Sequence, residues 1–582
     1  MEPGSCAYLF GIVGLRGEQL LHEETKRTMM KKSFSQLWNG LVITILAALL
    51  GGCGSLAWDS TTLTTGDVGI DVSYATAPGC KNVWITVKQL WVHTNPVAEI
   101  TDSGWQKLDF SAKPLTINLS DPALGIDGGG TGVAQLADRL TVLAADYYQI
   151  RLFLAATEDP LASSAAAKSL KYNNQVDDID PGTSVVTSRP LRIPAASQGI
   201  SIVRDAKSPI VVQAGSYARY AINFNLARDL VKTDRENTGI YEYILKPQPL
   251  IINMANVGGI KGSLKTFANM SGFNFVVKVV QAGNEVLSGT PNGINADGNL
   301  AFSLYPLPVT KDTYDVVIQG RKTDTFLIHN ITVKATNFPV TAESLKSFVN
   351  LDPVPIVNGS EYPINFSVKP TGASLSFSRT SSFSSLGASC VECHTGQASV
   401  TETYHLDPFN GKFATPLYLS SNPPHIKTFS EKDFKYFAHA DNNGAYKVVA
   451  NALFHKPSAD MDITAANAGQ TLNSISPLAL DTAQGVAVQG TISLGAGAPT
   501  AMTKGYVLAT HGGMIIDRVE ADMSGAGSYS PFTLPAGRFD SYYGLYAFGW
   551  NVSSKAAGTG SIDLRKSTTP SSEAEITMLP MN

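Results

Sequence analysis

The amino-acid sequence predicts a mainly β chain, built of tandem antiparallel β-sandwich domains with a loop-rich insertion. Short segments alternate between two kinds of residue. Val83, Ile85 and Val87, for example, alternate with Trp84, Thr86 and Lys88. A period of two is typical of strands buried on one face. At 582 residues the chain exceeds one hydrophobic core. A usual domain size of about 150 residues then predicts three or four domains.

The composition is typical of an exported β-protein and excludes nucleic-acid binding. Charged residues make up only 16% of the chain, so much of the polar surface must come from Ser, Thr, Asn and Gly. The net charge is −4, and no Lys/Arg-rich run with interleaved aromatic residues is present. Because phosphate backbones are bound through such basic patches, we expect no nucleic-acid partner.

Residues 1–52 are predicted to be a mis-called start followed by a lipoprotein signal peptide. An acidic pair, Glu23-Glu24, precedes the basic Lys31-Lys32, which is atypical of a signal peptide and indicates a true start at Met29 or Met30. The apolar run 41–50 is shorter than the roughly 20 residues that a membrane-spanning helix needs. We therefore expect cleavage after export.

Leu50-Gly51-Gly52-Cys53 resembles the lipobox of bacterial lipoproteins. The resemblance implies that Cys53 is diacylated and becomes the mature N-terminus, with membrane lipid as its partner. Gly54 follows, and the absence of an acidic residue there implies the outer membrane, on the periplasmic side or the cell surface. The alternative interpretation is that Cys53 is an ordinary buried thiol.

Residues 66–255 resemble an exported family of unknown function that is common in bacterial lipoproteins. The matching pieces are Ala77-Pro78, Val83 to His93, Gly104-Trp105, Tyr148 to Leu152, Phe224 to Arg228 and Leu245-Lys246-Pro247. The resemblance implies a β-sandwich and no chemistry. A segment rich in Ala, Ser and Asp, 158–197, departs from that pattern, and we expect a surface loop or a short helical hairpin there.

Two later segments resemble the small carboxypeptidase-regulatory-like sandwiches found along bacterial surface proteins. The first spans 256–345 and begins at Gly258-Gly259-Ile260-Lys261-Gly262; the second spans 484–582 and begins near Val488. Between them, 350–480 is predicted to be the loop-rich insertion, with an interrupted sandwich as one form that it can take.

Cys390-Val391-Glu392-Cys393-His394 has the spacing of c-type haem attachment. Two thiols two residues apart reach the two vinyl groups of one porphyrin, and the adjacent imidazole becomes the proximal iron ligand. This predicts one covalent haem c, held by Cys390 and Cys393, with His394 on the iron, and makes 350–480 a haem-bearing insertion. A redox disulfide and half of a zinc site are the alternatives, although neither a thioredoxin-like pattern nor a second ligand pair is present.

Histidines are enriched after the motif, which favours a second histidine as the distal iron ligand. The candidates are His405, His425, His439, His455 and Met461. His439 and His405 are the first choices because aromatic residues precede both of them. Met461 lies between two aspartates, a polar setting that disfavours thioether ligation.

These patterns lead to three functional hypotheses. The first is a membrane-anchored, single-haem electron carrier in the envelope, with other cytochromes or redox proteins as partners and no catalytic residues. The second is a structural or adhesive surface lipoprotein, in which haem is absent or accessory. The third is an enzyme such as a peroxidase, which requires an open iron site. A calcium site at Asp177-Asp178-Ile179-Asp180 is disfavoured, because the spacing is not that of an EF-hand and a solvated acidic loop explains it.

Overall fold

The computed structural model describes residues 64–580, apart from 74–76, 78, 121–132, 158, 181–182, 195, 234–241, 265–273, 292, 295–298, 324–327, 339, 341–347, 352–360, 365, 385–394, 413–416, 421–424, 430–433, 440–444, 464–474, 476, 482–483, 499–501, 524–526, 551–554, 568 and 570. Strands dominate this part of the chain, and its helices are two single turns. The mainly β fold class is confirmed. In these residues no helix has the length and apolar character needed to span a bilayer.

The first region contains two large sheets and one two-stranded sheet around one core. Its elements are β1 (Thr65–Ser73), β2 (Cys80–His93), β3 (Gln106–Asp109), β4 (Leu115–Asn118), β5 (Val133–Leu143), β6 (Ala145–Tyr147), β7 (Gln149–Leu154), α1 (Ser163–Ala166), β8 (Gln175–Ile179), β9 (Val186–Arg192), β10 (Ile200–Val203), β11 (Ile210–Val212), β12 (Tyr217–Asn223), α2 (Leu226–Asp229), β13 (Leu230–Thr233), β14 (Glu242–Leu245) and β15 (Leu250–Asn253). One sheet has the order β15-β12-β1-β5 and the other β10-β7-β2-β8-β9-β14-β13. Val83, Ile85 and Val87 are fully buried in the shared core, as the predicted strand requires, and Thr86 between them is buried as well.

The expectation of a surface loop or helical hairpin over 158–197 is wrong. Apart from the single turn α1, the segment supplies β8 and β9, and β8 pairs directly with the central strand β2. Its polar residues misled the prediction because they are buried rather than solvated. Asp177 accepts hydrogen bonds from Asn82 at 2.7 Å and from Gln175 at 2.8 Å. Because both of its carboxylate oxygens are hydrogen-bonded, this polar strand can lie inside the sheet.

The middle region contains a large sheet that crosses the predicted boundary near residue 350. Its strands are β16 (Val257–Leu264), β17 (Asn274–Gln281), β18 (Asn284–Gly289), β19 (Gly293–Ile294), β20 (Leu300–Pro308), β21 (Tyr314–Thr323), β22 (Ile328–Phe338), β23 (Phe348–Leu351), β24 (Glu361–Ile364), β25 (Ser374–Ser384), β26 (Thr395–His405), β27 (Leu417–Ser420), β28 (His425–Phe429), β29 (Phe434–His439), β30 (Tyr446–Asn451) and β31 (Met461–Ile463). Within this region, the large sheet has the order β18-β17-β21-β22-β28-β29-β25-β30-β31, with β26 on β25. The other strands form two smaller sheets, β19-β20-β16-β23 and β24-β27. The predicted segments 256–345 and 350–480 therefore share one sheet, through the pairing of β22 with β28.

The C-terminal region forms one sheet that closes on itself. Its strands are β32 (Gly485–Leu494), β33 (Lys504–His511), β34 (Met514–Asp522), β35 (Gly527–Pro535), β36 (Tyr542–Trp550), β37 (Lys555–Asp563) and β38 (Ser571–Pro580). Closure comes from β32, which pairs with β35 on one side and with β38 on the other. Its interior is filled by apolar side chains such as Val488, Val507 and Ile576.

Not all of the strand pairing is antiparallel. Five pairs in the described chain are parallel: β1 with β12, β9 with β14, β16 with β23, β22 with β28, and β32 with β38. Parallel neighbours need long connections, so these pairs join strands that are distant in the sequence. The alternation of side chains does not report such long-range partners.

A hydrophobic cluster, here called the junction cluster, joins the three regions. It consists of Ile244 from β14, Phe409 from the loop after β26, and Leu508, Ile515, Tyr546, Phe548, Trp550 and Ala557 from the C-terminal sheet. Polar contacts cross the same junction, since the Thr371 amide donates to Asp517 at 2.9 Å and the Ser201 amide to the Gly512 carbonyl at 2.9 Å. The regions are therefore packed together rather than strung on linkers.

Candidate functional site

The predicted attachment residues lie outside the described part of the chain. Cys53, Cys390, Cys393 and His394 all fall in the undescribed ranges, so the lipid and haem predictions stay predictions. Within the described residues no group of three or more His, Cys, Asp and Glu is arranged to hold a metal ion.

The two preferred distal histidines occupy different ends of the same sheet. β26 begins at Thr395, directly after the motif, and ends at His405. At about 3.3 Å per residue, ten residues of extended strand place the two ends roughly 33 Å apart. His439, by contrast, pairs with Phe383 of β25, and Phe383 also pairs with Gly396 on its other side. Two strand spacings of about 4.8 Å separate Gly396 from His439. The register therefore brings His439 to the end of the sheet at which β26 begins.

The remaining distal candidates are scattered. His425 begins β28, and Met461 begins β31. The His455 Nδ1 atom lies 2.7 Å from the Leu453 carbonyl oxygen, which fixes that nitrogen as a donor to the backbone. Among the distal candidates, His439 is thus the one that the register brings next to β26's first residues.

His405 instead contributes to a polar row across three strands. It pairs with Ser374 of β25, and Ser374 pairs with Asn451 of β30. Directly paired residues of neighbouring antiparallel strands project from the same face of the sheet, so the three polar side chains lie side by side. Both ring nitrogens of His405 are buried and have no hydrogen-bond partner in the described structure. Burial and the nearby charges of Lys246 and Arg228 hold the pKa of His405 well below its ordinary value.

Lys246 faces this row, and its only signal in the sequence is the family-like piece Leu245-Lys246-Pro247. Its side chain is 3% exposed, and its ammonium donates to the Gly372 carbonyl oxygen at 3.2 Å. Burial lowers the pKa of Lys246 to about 7, although the nearby negative charge of Asp407 opposes that shift. Its backbone amide donates to the Asp229 carbonyl oxygen at 2.8 Å, so the turn α2 fixes its position.

Asp407 lies behind Lys246 but does not neutralise it by direct contact. Its carboxylate accepts hydrogen bonds from the Thr233 hydroxyl at 2.6 Å and from the Phe409 amide at 2.8 Å. Burial raises the pKa of Asp407 above its ordinary value. The carboxylate oxygens are therefore occupied by neutral donors, whereas the Lys246 ammonium donates to the Gly372 carbonyl oxygen.

A cavity of about 170 Å³ opens between the polar row and Lys246. Its polar lining comes from five side chains on four segments of the chain, and its apolar lining from the ends of β30 and β34. The lining residues are Lys246, Gln248, Gly372, Ser374, His405, Asn451, Ala452, Leu453, Met514 and Ile515. The Arg228 guanidinium donates to the Gln248 carbonyl oxygen at 2.9 Å and holds that part of the wall.

Two other candidate features are structural. Burial raises the pKa of the Cys80 thiol to about 12, which makes it a poor nucleophile and a poor metal ligand. Asp178 accepts a hydrogen bond from the Tyr243 hydroxyl at 2.7 Å and forms an ion pair with Lys232 at 3.0 Å. The explanation of Asp177 and Asp178 as a solvated acidic loop is therefore wrong, because both carboxylates are buried in β8 and paired within the protein.

Three solved structures are similar to this chain at low levels. The Bacillus anthracis TIE protein is 8% identical, with 93% of this chain and 78% of that chain covered and a TM-score of 0.13. The shaft pilin SpaA from Lactobacillus rhamnosus GG is 13% identical, with 39% and 100% covered and a TM-score of 0.11. The pilus adhesin SpaC from the same organism is 9% identical, with 89% and 56% covered and a TM-score of 0.11. TM-scores so far below 0.5 do not indicate a shared fold.

The family comparison bears on the first region alone. No curated protein matches the chain. The expected resemblance of residues 66–255 to a family of unknown function is confirmed in outline, and the match covers less than half of the chain. Residues 65–247 match the family described as Domain of unknown function (DUF4382).

Proposed function

We propose that this chain is an exported surface protein of the bacterial envelope, in which joined β-modules act as one structural or adhesive body. Export is supported by the signal-peptide pattern before Cys53, and anchoring by the lipobox resemblance. Most of the described mass is strand. A mechanical role fits that distribution of mass better than a catalytic one.

The junction cluster is the observation that carries this proposal. Independent modules on flexible linkers would bury little surface between them, whereas here Ile244, Phe409 and Phe548 share one apolar cluster. The Arg192 guanidinium lies 4.2 Å from the Phe548 ring centroid and pairs with Glu242 at 2.7 Å, so a buried ion pair reinforces the same junction. A joined body transmits force and presents distant surfaces in a fixed arrangement.

Surface labelling of intact cells tests the proposal. A membrane-impermeant biotin reagent should label the native chain, and a strain lacking the gene should lose attachment to surfaces or become sensitive to detergent. Cys53→Ser should abolish incorporation of an alkyne-tagged palmitate and release the chain from the membrane fraction. Absence of surface labelling together with an unchanged deletion strain would remove the proposal.

A second candidate function is single-haem electron transfer, with other cytochromes or redox proteins as partners. The motif Cys390-Val391-Glu392-Cys393-His394 favours it, because the spacing suits two thioether bonds and a proximal imidazole. Bound haem c would supply one-electron redox chemistry, while Cys390 and Cys393 would attach it and His394 would ligate the iron. An accessory haem is also compatible with the structural role.

Intact-mass spectrometry tests the premise of the second candidate, which is that haem is attached. The chain should be expressed with haem-attachment machinery, and the mass of the mature protein should then include the lipid and one haem. His394→Ala should keep export and the lipid mass but lose the low-spin haem spectrum. A colourless protein without the haem mass would leave the structural role as the one remaining candidate of the two.

A further inference from the structure

The cavity beside Lys246 is lined by side chains that could bind an anion. One part of the wall carries the buried ammonium group of Lys246, which donates to the Gly372 carbonyl oxygen. The opposite wall carries the polar row of His405, Ser374 and Asn451, in which His405 has two buried, unpartnered ring nitrogens. Buried polar atoms normally have partners, so two such nitrogens beside a buried ammonium group at one cavity require an explanation.

Size and lining restrict the ligand. An apolar cavity of about 150 Å³ holds a six-atom ring such as benzene, so a cavity of about 170 Å³ takes a molecule of similar size. One cation and several neutral donors suit a single negative charge better than a phosphate dianion. Leu453, Met514 and Ile515 provide an apolar surface for the rest of the molecule.

We propose that this cavity binds a small aliphatic monocarboxylate of butyrate size, with its carboxylate between Lys246 and His405 and its alkyl chain against Leu453 and Ile515. The ammonium of Lys246 provides the charge, and the neutral His405, whose ring nitrogens are both closed off in the unliganded chain, turns toward the carboxylate and donates from one of them. Nothing in this proposal depends on haem or on surface attachment.

Proton linkage follows from the charges that face the site. Those groups are Lys246 on one wall, His405 on the other, Asp407 behind Lys246, and the Arg228–Asp229 pair on α2. Binding requires the ammonium form of Lys246, and without ligand its pKa is about 7. The apparent affinity should therefore fall by up to about a hundredfold between pH 6 and pH 9, as that proton is lost from the free protein.

Isothermal titration of the purified full-length chain tests the site, with sodium butyrate, butanol and inorganic phosphate as probes at constant ionic strength. We expect butyrate to bind at pH 6 at least tenfold more tightly than butanol or phosphate. Lys246→Met, which keeps the length of the side chain, should weaken butyrate binding at least tenfold, and His405→Phe should weaken it severalfold. The control Lys456→Met changes an exposed lysine and should leave the affinity unchanged.

Several results would overturn the proposal. One is the absence of any heat of binding with butyrate at a concentration of about 10 mM, which corresponds to a free energy weaker than that of a 1 mM dissociation constant. Another is equal affinity for butyrate and butanol, and a third is tighter binding of phosphate than of butyrate. A variant that misfolds is identified by circular dichroism, and the pH series on the unchanged chain then decides. An affinity that stays constant from pH 6 to pH 9 would mean that Lys246 does not hold the carboxylate.

Discussion

At the scale of single residues, the ion pair of Arg192 and Glu242 shows how the junction depends on satisfied charges. Both side chains are almost fully buried, and two hydrogen bonds of 2.7 and 3.0 Å join them. Removing one partner leaves the other charge buried without its counter-ion. We expect Arg192→Leu to lower the free energy of unfolding by about 3–5 kcal/mol, measured by urea denaturation.

The pair of Arg139 and Asp67 provides a matched control. Its nitrogen and oxygen lie 3.1 Å apart, but the arginine side chain is 65% exposed. Solvent screens such pairs, so Arg139→Leu should cost no more than about 1 kcal/mol. Equal losses for the two variants would contradict the assignment of a buried, supporting pair at the junction.

Lys246 gives a residue-level prediction of pH dependence. The unfolded lysine keeps its proton up to its ordinary pKa of 10.5, whereas burial lowers the folded pKa to about 7. Between these values the unfolded state binds more protons, so this group makes the free energy of unfolding rise with pH. Urea denaturation at pH 7, 8 and 9 should show a smaller rise for Lys246→Met than for the unchanged chain or for Lys456→Met. Parallel curves for all three proteins would refute a buried, depressed lysine.

At the scale of elements, the length of β26 distinguishes the two favoured distal ligands. The strand separates His405 from Thr395, the residue that follows the motif in the sequence, by roughly 33 Å, whereas the pairing of β25 with β29 brings His439 to the end of the sheet at which β26 begins. If haem is attached, His439→Ala should convert a low-spin absorption spectrum to a high-spin one. His405→Ala should leave the spectrum unchanged. The opposite pattern would show that β26 or β29 is paired differently in the haem-bearing protein.

Strands with one buried face were predictable from the sequence, and strands with buried polar residues were not. Val83, Ile85 and Val87 are fully buried along β2, whereas Trp84 and Lys88 are partly exposed, so side-chain periodicity indicates the strand although Thr86 is buried too. β8 contains Asp177 and Asp178, whose burial depends on partners such as Asn82 and Tyr243 from other strands. No local pattern contains that information, because the hydrogen bonds that permit burial are long-range.

The cavity was unpredictable for the same reason. His405 was singled out as a haem ligand because of its neighbours in the sequence, whereas its surroundings come from Lys246, Asn451 and Met514. These residues lie on separate strands or turns and are brought together by the register of β25 with its two neighbours and by the packing of β34. A site assembled from single residues of distant segments leaves no motif.

At the scale of the whole molecule, each of the three regions has a core, the C-terminal core also contains Phe454 of the middle region, and all three share the junction cluster. The first region, the middle region and the C-terminal sheet each contain their own buried cluster. Ile244, Phe409 and Phe548 belong to none of these cores and instead pack together where the regions meet. Unfolding of one region therefore exposes apolar surface of the others, which couples their stabilities.

Phe548→Ala tests that coupling. Phe548 is 1% exposed and also carries the guanidinium of Arg192 on its ring, so truncation should cost about 3–5 kcal/mol. Scanning calorimetry should show one dominant transition for the unchanged chain, and a lower transition temperature with separate transitions for Phe548→Ala. Phe539→Ala, at a side chain that is 64% exposed, should change neither. Separate transitions already present in the unchanged chain would mean that the junction cluster does not couple the regions, and the proposed single mechanical body would lose its physical basis.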